Sequence, residues 1–403
     1  MDLLAAVFRG RVRLFDEEVL NQQNSTDAFT ELMEILRSTM QKLGVDVLAS
    51  NYRWSWQTSV TWACITSFFI FQAYTLYAYW GDWYLLMEMF SVTGIGVQGL
   101  MKMQTAVRHY SYYRNVSEKM LLLHQVNNTN RKNNRSLVFC VILIEYAYKI
   151  VGLSYVTAGI GFFISPIFRY LLYSERTLAL QIVVPGIDHA TELGFWLMIV
   201  YHMVLVFVAC SGILTSDMGM MLIILHVVGM ADVFRNSLAE LDEMLEEVES
   251  DKRKVYNKLV RICCMHKDII GYEEDVDKFF GAIIFTQVIT SVFCLSISLF
   301  LIFMTGNIQS VLFLMGALCQ LLQFCILGTI LTIKNEEIIL ALYNFLWYKL
   351  SVENQRTLCI MLHRSQNAVE LTIGGLALLN MKTFVEIIKK IYTYAAMMLQ
   401  FVG

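Results

Sequence analysis

The chain predicts an all-α, polytopic membrane protein, on the strength of long uncharged runs, a one-sided distribution of lysine and arginine, and an apolar composition. Residues 60–80, 193–216, 281–307 and 311–333 carry no Asp, Glu, Lys or Arg. Each run is long enough to cross a bilayer, which takes about 20 apolar residues. Two further spans tolerate charge: 83–101 carries Glu88, and 137–164 carries Glu145 and Lys149. A weaker seventh span covers 371–402. The segments before the first span and between alternate spans hold six, seven, eight and four Lys and Arg, against none, two and none in the others. Basic residues stay on the cytoplasmic side, which places the N-terminus inside and, after seven crossings, the C-terminus outside. This orientation is the reverse of a G-protein-coupled receptor. At 57% hydrophobic and 16% charged residues, the 403-residue chain is too apolar for a soluble globular protein.

The organisation follows from these spans. Residues 1–59 form a cytoplasmic N-terminal segment. It is polar (Asp16, Glu17, Glu18) and has no apolar core ending in small residues, so no cleaved signal peptide is expected. Residues 60–216 hold membrane helices one to four, with an outer loop at 160–192 that contains both prolines, Pro166 and Pro185. With no proline in any span, no proline kinks are expected. Residues 217–280 read as a cytoplasmic helical hairpin. Val227, Ala231, Phe234, Leu238, Leu241, Leu245 and Val248 recur at alternating gaps of four and three, the period of one helix packing on another. A basic turn at 250–254 leads into a second helix through Val255, Leu259 and Ile262. The hairpin can close on its own chain, contact neighbouring subunits, or do both. Residues 281–333 hold membrane helices five and six, 334–370 a cytoplasmic anchor segment, and 371–403 the last helix.

Several chemistries are excluded or disfavoured. The net charge of -3 gives no basis for a nucleic-acid partner. None of the nine cysteines falls in an outside loop, where a disulfide would be favoured. The adjacent Cys263 and Cys264 have no second pair at zinc-binding spacing, so neither a metal nor any other cofactor is expected. The sequons at Asn24, Asn115, Asn127 and Asn134 all fall on the inside and should stay unmodified. Gly94-Ile-Gly96-Val-Gln-Gly99 matches a dinucleotide fingerprint in letters only. It lies inside an apolar span, where small residues permit close helix approach or leave room for a ligand. No Walker sequence, zinc-protease helix or nucleophile elbow occurs, and an enzyme is not expected. No internal repeat or broken midplane helix suggests a transporter.

Charged and polar groups inside spans call for a reason. Glu145 and Lys149 are four apart and can pair on one helix face. His202 on span four is either a satisfied core histidine or part of a polar spot in a cavity. The last span carries Thr383, Glu386, Lys390, Thr393, Met397 and Gln400 on one stripe, spaced three and four apart. A polar stripe on a membrane helix must face water or protein. Packing within the chain would satisfy it, as would a pore lined by several copies. The gradation toward Met397, Gln400 and Phe401 favours the pore, with an apolar constriction that gates by dewetting.

The stretch Glu336-Glu-Ile-Ile-Leu-Ala341-Leu-Tyr343-Asn-Phe-Leu-Trp347-Tyr348, then Arg356 and Met361-Leu-His-Arg364-Ser-Gln366, resembles the insect odorant receptors. So does the ending Phe384…Lys389-Lys-Ile-Tyr392-Thr-Tyr394, together with the seven spans of inverted topology. The resemblance implies a tetrameric, odorant-gated, non-selective cation channel. It also implies a co-receptor as partner, a small volatile odorant as ligand, permeant cations, and residence in the plasma membrane of an olfactory neuron. The fourth connection is shorter than in the co-receptor, which implies an odorant-specific subunit. The resemblance aligns Met397 and Phe401 with the constriction, with Gln400 between them and Thr393 beside the path. It sets the odorant pocket among spans two, three, four and part of five or six. The local residues suited to that pocket are Met87, Phe90, Ser91 and Gly94 on span two, Tyr148, Gly152 and Tyr155 on span three, and Met198 and His202 on span four. Such a pocket would be mostly apolar and aromatic. Residues 393–401 also fit the terminal signature of the gustatory receptors, the alternative family, whose channels assemble without the co-receptor.

Overall fold

The computed structural model describes residues 20, 23–49, 52–174, 176–247, 251–306 and 308–402. Arg9, Arg11 and Arg13 of the charge asymmetry, Val248 of the heptad, the start of the basic turn at Ser250, and the end of span five at Asn307 lie outside them. Among the described residues there are ten α-helices, one 3-10 turn and an isolated antiparallel bridge.

Helix α1 (Ser25–Lys42) starts at Asn24, whose side chain accepts from Thr26 N at 2.9 Å. Its buried residues Phe29, Leu32, Leu36 and Met40 form one stripe. The chain then turns at Gly44 (φ +74°) and enters α2 (Trp56–Ala78) through a Ser55–Thr58 capping box. Thr58 Oγ1 and Thr61 Oγ1 donate to the carbonyls of Gly44 and Leu43, at 2.6 and 3.1 Å. These bonds hold α1 against the start of α2. Helices α3 (Trp83–Arg108), α4 (Tyr110–Asn127), α5 (Arg131–Tyr173), α6 (Glu192–Glu246), α7 (Lys252–Thr305) and α8 (Ile308–Asn344) follow. A 3-10 turn (Trp347–Lys349), α9 (Val352–Gln366) and α10 (Met381–Val402) complete the chain.

Six helices, α2, α3, α5, α6, α7 and α8, are long and apolar enough to cross a membrane. They pack side by side, with α3 on α7, α5 on α6, and α8 against both α6 and α7. At 55 and 54 residues, α6 and α7 are each about 80 Å long at 1.5 Å per residue, so both run well past a bilayer. The bundle therefore has a loop end, carrying the 174–191 connection, and a hairpin end, where α6 and α7 project together.

At the hairpin end, Ala231, Phe234, Leu238 and Leu241 of α6 pack against Val255, Leu259 and Ile262 of α7. Ile338, Leu342 and Phe345 from α8 and its end, and Leu358 and Met361 of α9, close the same core. Leu245 is only partly buried at its edge. The hairpin thus closes on its own chain through the spacing visible in the sequence. Lys334, 1% exposed, joins Asp232 and Glu337 at 2.8 and 3.0 Å, and Arg235 reaches Glu337 at 2.8 Å. Glu273 on α7 is also buried, and neither of its oxygens has a well-formed hydrogen bond. Burial pushes its carboxyl up to about 8, and the nearby Asn335 amide offsets this only in part.

Two expectations are corrected. Pro166 lies inside α5, which continues to Tyr173 and ends on Ser174 in the left-handed region (φ 52°). The loop at this end therefore spans 174–191 rather than 160–192, and one long helix contains a proline that deprives a single turn of its backbone donor. The last helix begins at Met381, not near residue 371. Residues 371–380 instead form a turn in which Thr372 bridges Leu378, with Gly374 and Gly375 at positive φ (59° and 78°). Two adjacent glycines in the left-handed region interrupt a helix that apolar patterning alone would extend.

Candidate functional site

Helix α3 sets one wall of a cavity of about 200 Å³ between the helices. Gly94, Gln98 and Lys102, each four residues apart, present one face of α3 to it. Phe68 of α2, Tyr155 and Phe162 of α5, and Phe313 and Gln320 of α8 line the other sides, with Leu205, Ala209 and Ile213 among those from α6. The fingerprint glycines shape this wall. A Cβ on Gly94 would lie 2.6 Å from Cys294 Sγ, and one on Gly96 would lie 2.4 Å from a Phe68 ring carbon, so both are packing residues. A Cβ on Gly99 would meet nothing within 4 Å, and this residue lines open space in the cavity.

Part of the loop closes the top. Leu178, Ala179, Leu180, Ile182 and Val183 are buried, and Leu180 lines the cavity. Two bonds pin this segment: Val183 N donates to Thr75 Oγ1 at 2.8 Å, and His202 Nε2 lies 2.9 Å from the Ile182 carbonyl. His202 is a buried core histidine with one ring nitrogen bonded, and it holds the plug rather than lining the space, while its Nδ1 is buried without a partner among the described residues.

A buried charge cluster lies along the cavity's side. Lys102 Nζ is 2.5 Å from Asp217 Oδ1, and the two side chains are 3% and 0% exposed. The Tyr155 hydroxyl donates to Asp217 Oδ2 at 2.5 Å, and Gln320 Nε2 donates to the same oxygen at 3.2 Å. The Lys102 ammonium also sits 5.5 Å from the Phe324 ring centroid. Four helices thus meet on one carboxylate. Sequence reading assigned Lys102 and Asp217 to the flanks of their spans and missed the pair. The available signal was that opposite charges close spans two and four on the same side.

Of the pocket residues read from the sequence, Gly94 and Tyr155 line the cavity, and the other seven do not. Met87 and Phe90 pack on the cluster of Ile297, Phe300 and Leu301, beside Met398 and Leu399 of α10. Ser91 Oγ donates to the Glu88 carbonyl at 2.7 Å. The Tyr148 hydroxyl donates to the Met218 carbonyl at 2.8 Å, and the residue is buried without lining the cavity. Gly152 is half-buried and does not line the cavity. Met198 packs with Phe195, Ile199 and Leu178 under the loop, and His202 binds that loop.

Helix α10 rests on α7 through Ile387, Ile391 and Ala395. Its opposite face is bare: Glu386, Lys390, Thr393, Met397, Gln400 and Phe401 are all exposed. Thr383, at the root, is tied to the preceding turn, its Oγ1 donating to the Leu378 carbonyl at 2.7 Å, and the Thr393 hydroxyl donates to the Lys389 carbonyl of its own helix at 2.9 Å. Glu145 and Lys149 form the expected pair at 2.6 Å on the exposed side of α5. Among the described residues, no group of three or more His, Cys, Asp or Glu side chains is placed to hold a metal.

A bundle of membrane-length helices around an apolar, loop-capped cavity, with one amphipathic helix left bare along its side, defines a multi-pass membrane receptor. The model of the 7tm odorant receptor family matches residues 84–392, and the chain belongs to that family. It is 22% identical over 395 residues to putative odorant receptor 83c of Drosophila melanogaster, covering 94% of this chain and 98% of that one. It is 23% identical to odorant receptor 63a of the same fly, over 57% of each. The fold is that of the olfactory receptor OR5 of Machilis hrabei, solved in complex with eugenol. That structure matches with a TM-score of 0.77 and 13% identity, over 92% of this chain and 99% of that one. The same receptor, from a second solved structure, matches with a TM-score of 0.75.

Proposed function

We propose that this chain is the odorant-specific subunit of an odorant-gated, non-selective cation channel, working in a heterotetramer with the odorant receptor co-receptor in the plasma membrane. The observation that carries the reading is α10. One face is buried on α7, while the stripe from Glu386 to Phe401 is left exposed by its own chain. A polar stripe on a helix at membrane depth must meet water or protein, and a single helix cannot enclose a water path. Copies of α10 around a common axis supply one, with Met397 and Phe401 as the apolar ring, Gln400 between them and Thr393 beside the path. In this reading α10 is the seventh crossing, the N-terminus is inside and the C-terminus outside. The odorant occupies the cavity bounded by Gly94, Tyr155, Phe162 and Phe313.

Cysteine substitutions test the pore. Thr393→Cys, Met397→Cys and Gln400→Cys, each expressed with the co-receptor, should lose odorant-evoked current when a permeant thiol reagent is applied to the open channel. If all three are insensitive, α10 does not line the pore. A tag after Gly403 should be labelled on intact cells and a tag before Met1 should not; the opposite pattern would overturn the topology. Expressed without the co-receptor, the chain should give no current, whereas robust current would point to a homomeric, gustatory-type channel.

A further inference from the structure

We propose that the ligand of this chain carries a hydroxyl group, bound between Gln98 and Lys102. The inference rests on the cavity being the odorant site. Gln98 is 4% exposed and lines the cavity. Its Nε2 donates to Thr290 Oγ1 at 2.8 Å. The Thr290 hydroxyl has one proton, which it directs to the Thr286 carbonyl at 2.7 Å, so toward Gln98 it can only accept. That fixes the orientation of the amide and leaves Gln98 Oε1 buried with no partner among the described residues. A buried carbonyl left unmet is unfavourable, and a ligand that donates a proton to it relieves the penalty.

The second polar group of this wall stands one helical turn away. Lys102 shares the cavity face of α3 with Gln98. Its ammonium has three protons, and Asp217 Oδ1 is its one hydrogen-bond partner among the described residues. The carboxylate is itself occupied, by Lys102, Tyr155 and Gln320. The wall therefore offers an acceptor and then a donor along α3, with the negative charge already satisfied. A hydroxyl answers both groups, its proton going to Gln98 Oε1 and its oxygen accepting from Lys102 Nζ. Ethers, esters, aldehydes and ketones accept only and leave Gln98 unmet. Carboxylates bring two acceptor oxygens against it, and ammonium ions are repelled by Lys102. The rest of the wall, with Phe68, Phe162 and Phe313, takes an apolar body.

The test uses two matched probe sets on the chain expressed with the co-receptor: hexan-1-ol, hexyl methyl ether, hexanal and hexane; and benzyl alcohol, benzyl methyl ether, benzaldehyde and toluene. In at least one set the alcohol should act at roughly tenfold lower concentration than its ether, as one hydrogen bond predicts. Gln98→Met, with Gln98→Leu measured in parallel, should bring that ratio to about one while the ether response persists. Surface labelling of a tagged chain confirms that the variants assemble. Gly99→Leu puts a side chain into the open space that an added Cβ would meet there and should abolish responses to every probe. A more potent ether, aldehyde or hydrocarbon in both sets, or an alcohol preference that survives Gln98→Met, overturns the hydroxyl assignment. If Gly99→Leu silences all probes in that case, the cavity stands as the odorant site and only the hydroxyl assignment falls. If Gly99→Leu reaches the surface and every response is unchanged, the cavity reading itself fails.

Discussion

The two halves of α6 behave as different materials. From Leu193 to Ser216 the helix has one open side: Leu197, Val200, Val204 and Phe207 are 48, 57, 46 and 65% exposed. Its other side borders the cavity at Leu205, Ala209 and Ile213. From Asp217 to Phe234 nearly every residue is buried, on all faces of the helix. A helix packed all round at interior density cannot turn without repacking its neighbours, whereas one flanked by lipid and a cavity has room to shift. The change occurs at Asp217, where the buried cluster joins α3, α5, α6 and α8. The half of α6 that borders the cavity thus has room to shift with what the cavity holds, and the half beyond Asp217 is suited to hold the shaft on which such a shift acts.

The most disruptive way to break this contrast is at its boundary. Asp217→Leu strands the Lys102 ammonium in the core, a loss of about 3–5 kcal/mol for a buried pair, and should abolish surface expression. Lys102→Met combined with Asp217→Leu should restore it in large part. A single variant that reaches the surface at wild-type level would show that the boundary does not depend on the charge pair. Next in size, Phe234→Ala in the buried half should destabilise purified protein by about 3–5 kcal/mol in thermal melts. Phe207→Ala in the open half should stay within about 0.5 kcal/mol. Equal effects would erase the distinction.

A further effect is read through pH at the hairpin end. Burial raises the folded-state pKa of Glu273 to about 8 from its ordinary 4.5. Its contribution to stability is therefore fully present below about pH 4.5 and is lost as pH rises through about 8. Melts recorded between about pH 5 and pH 8.5 should show this decline, and Glu273→Gln should flatten it. A slope unchanged by the substitution would assign the pH dependence to other groups. Smallest of all, the double variant Glu145→Gln with Lys149→Gln removes the whole pair from the exposed side of α5 and should leave the melt where it was; a measurable drop would mean that α5 is covered there in the assembly.

The sequence revealed helix faces better than depth. On α3, Met87, Ser91 and Gly94 follow the spacing that continues to Gln98 and Lys102, yet only Gly94 reaches the cavity. On α6, Met198 and His202 precede Leu205 and Ala209 at the same spacing, but the loop residues 178–183 cover them. On α5, Tyr148 shares a face with Tyr155, yet it is bonded to the Met218 carbonyl of α6 and does not line the cavity. Periodicity encodes which side of a helix is inward. The floor and ceiling of a cavity depend on how neighbouring segments come to rest, and the plug has no repeating pattern to betray its path. The hairpin was legible because its packing follows a heptad within one stretch of chain. Lys102 and Asp217 were not, because their partnership spans 115 positions and each falls where a span was taken to end.

The root of α10 has a further consequence. Thr372 binds Asp277 of α7 through its backbone N–H and its hydroxyl, at 2.7 and 2.8 Å, and Met381 N donates to Thr329 Oγ1 of α8 at 3.0 Å. Between these ties, the Leu379 carbonyl lies against Gly328 so closely that a Cβ there would sit 1.8 Å from it. The far end of the 22-residue helix carries Phe401, exposed. Such a member is a lever, clamped at its root and laid along α7, with Met398 and Leu399 packed on Ile297, Phe300 and Leu301 near its far end. At about 33 Å of length, a tilt of about 5° at the clamp displaces the tip by roughly 3 Å, comparable to the width of a water molecule. Small rearrangements where α7 and α8 meet are thereby geared up at the tip, and the bare glycine at position 328 is the fulcrum.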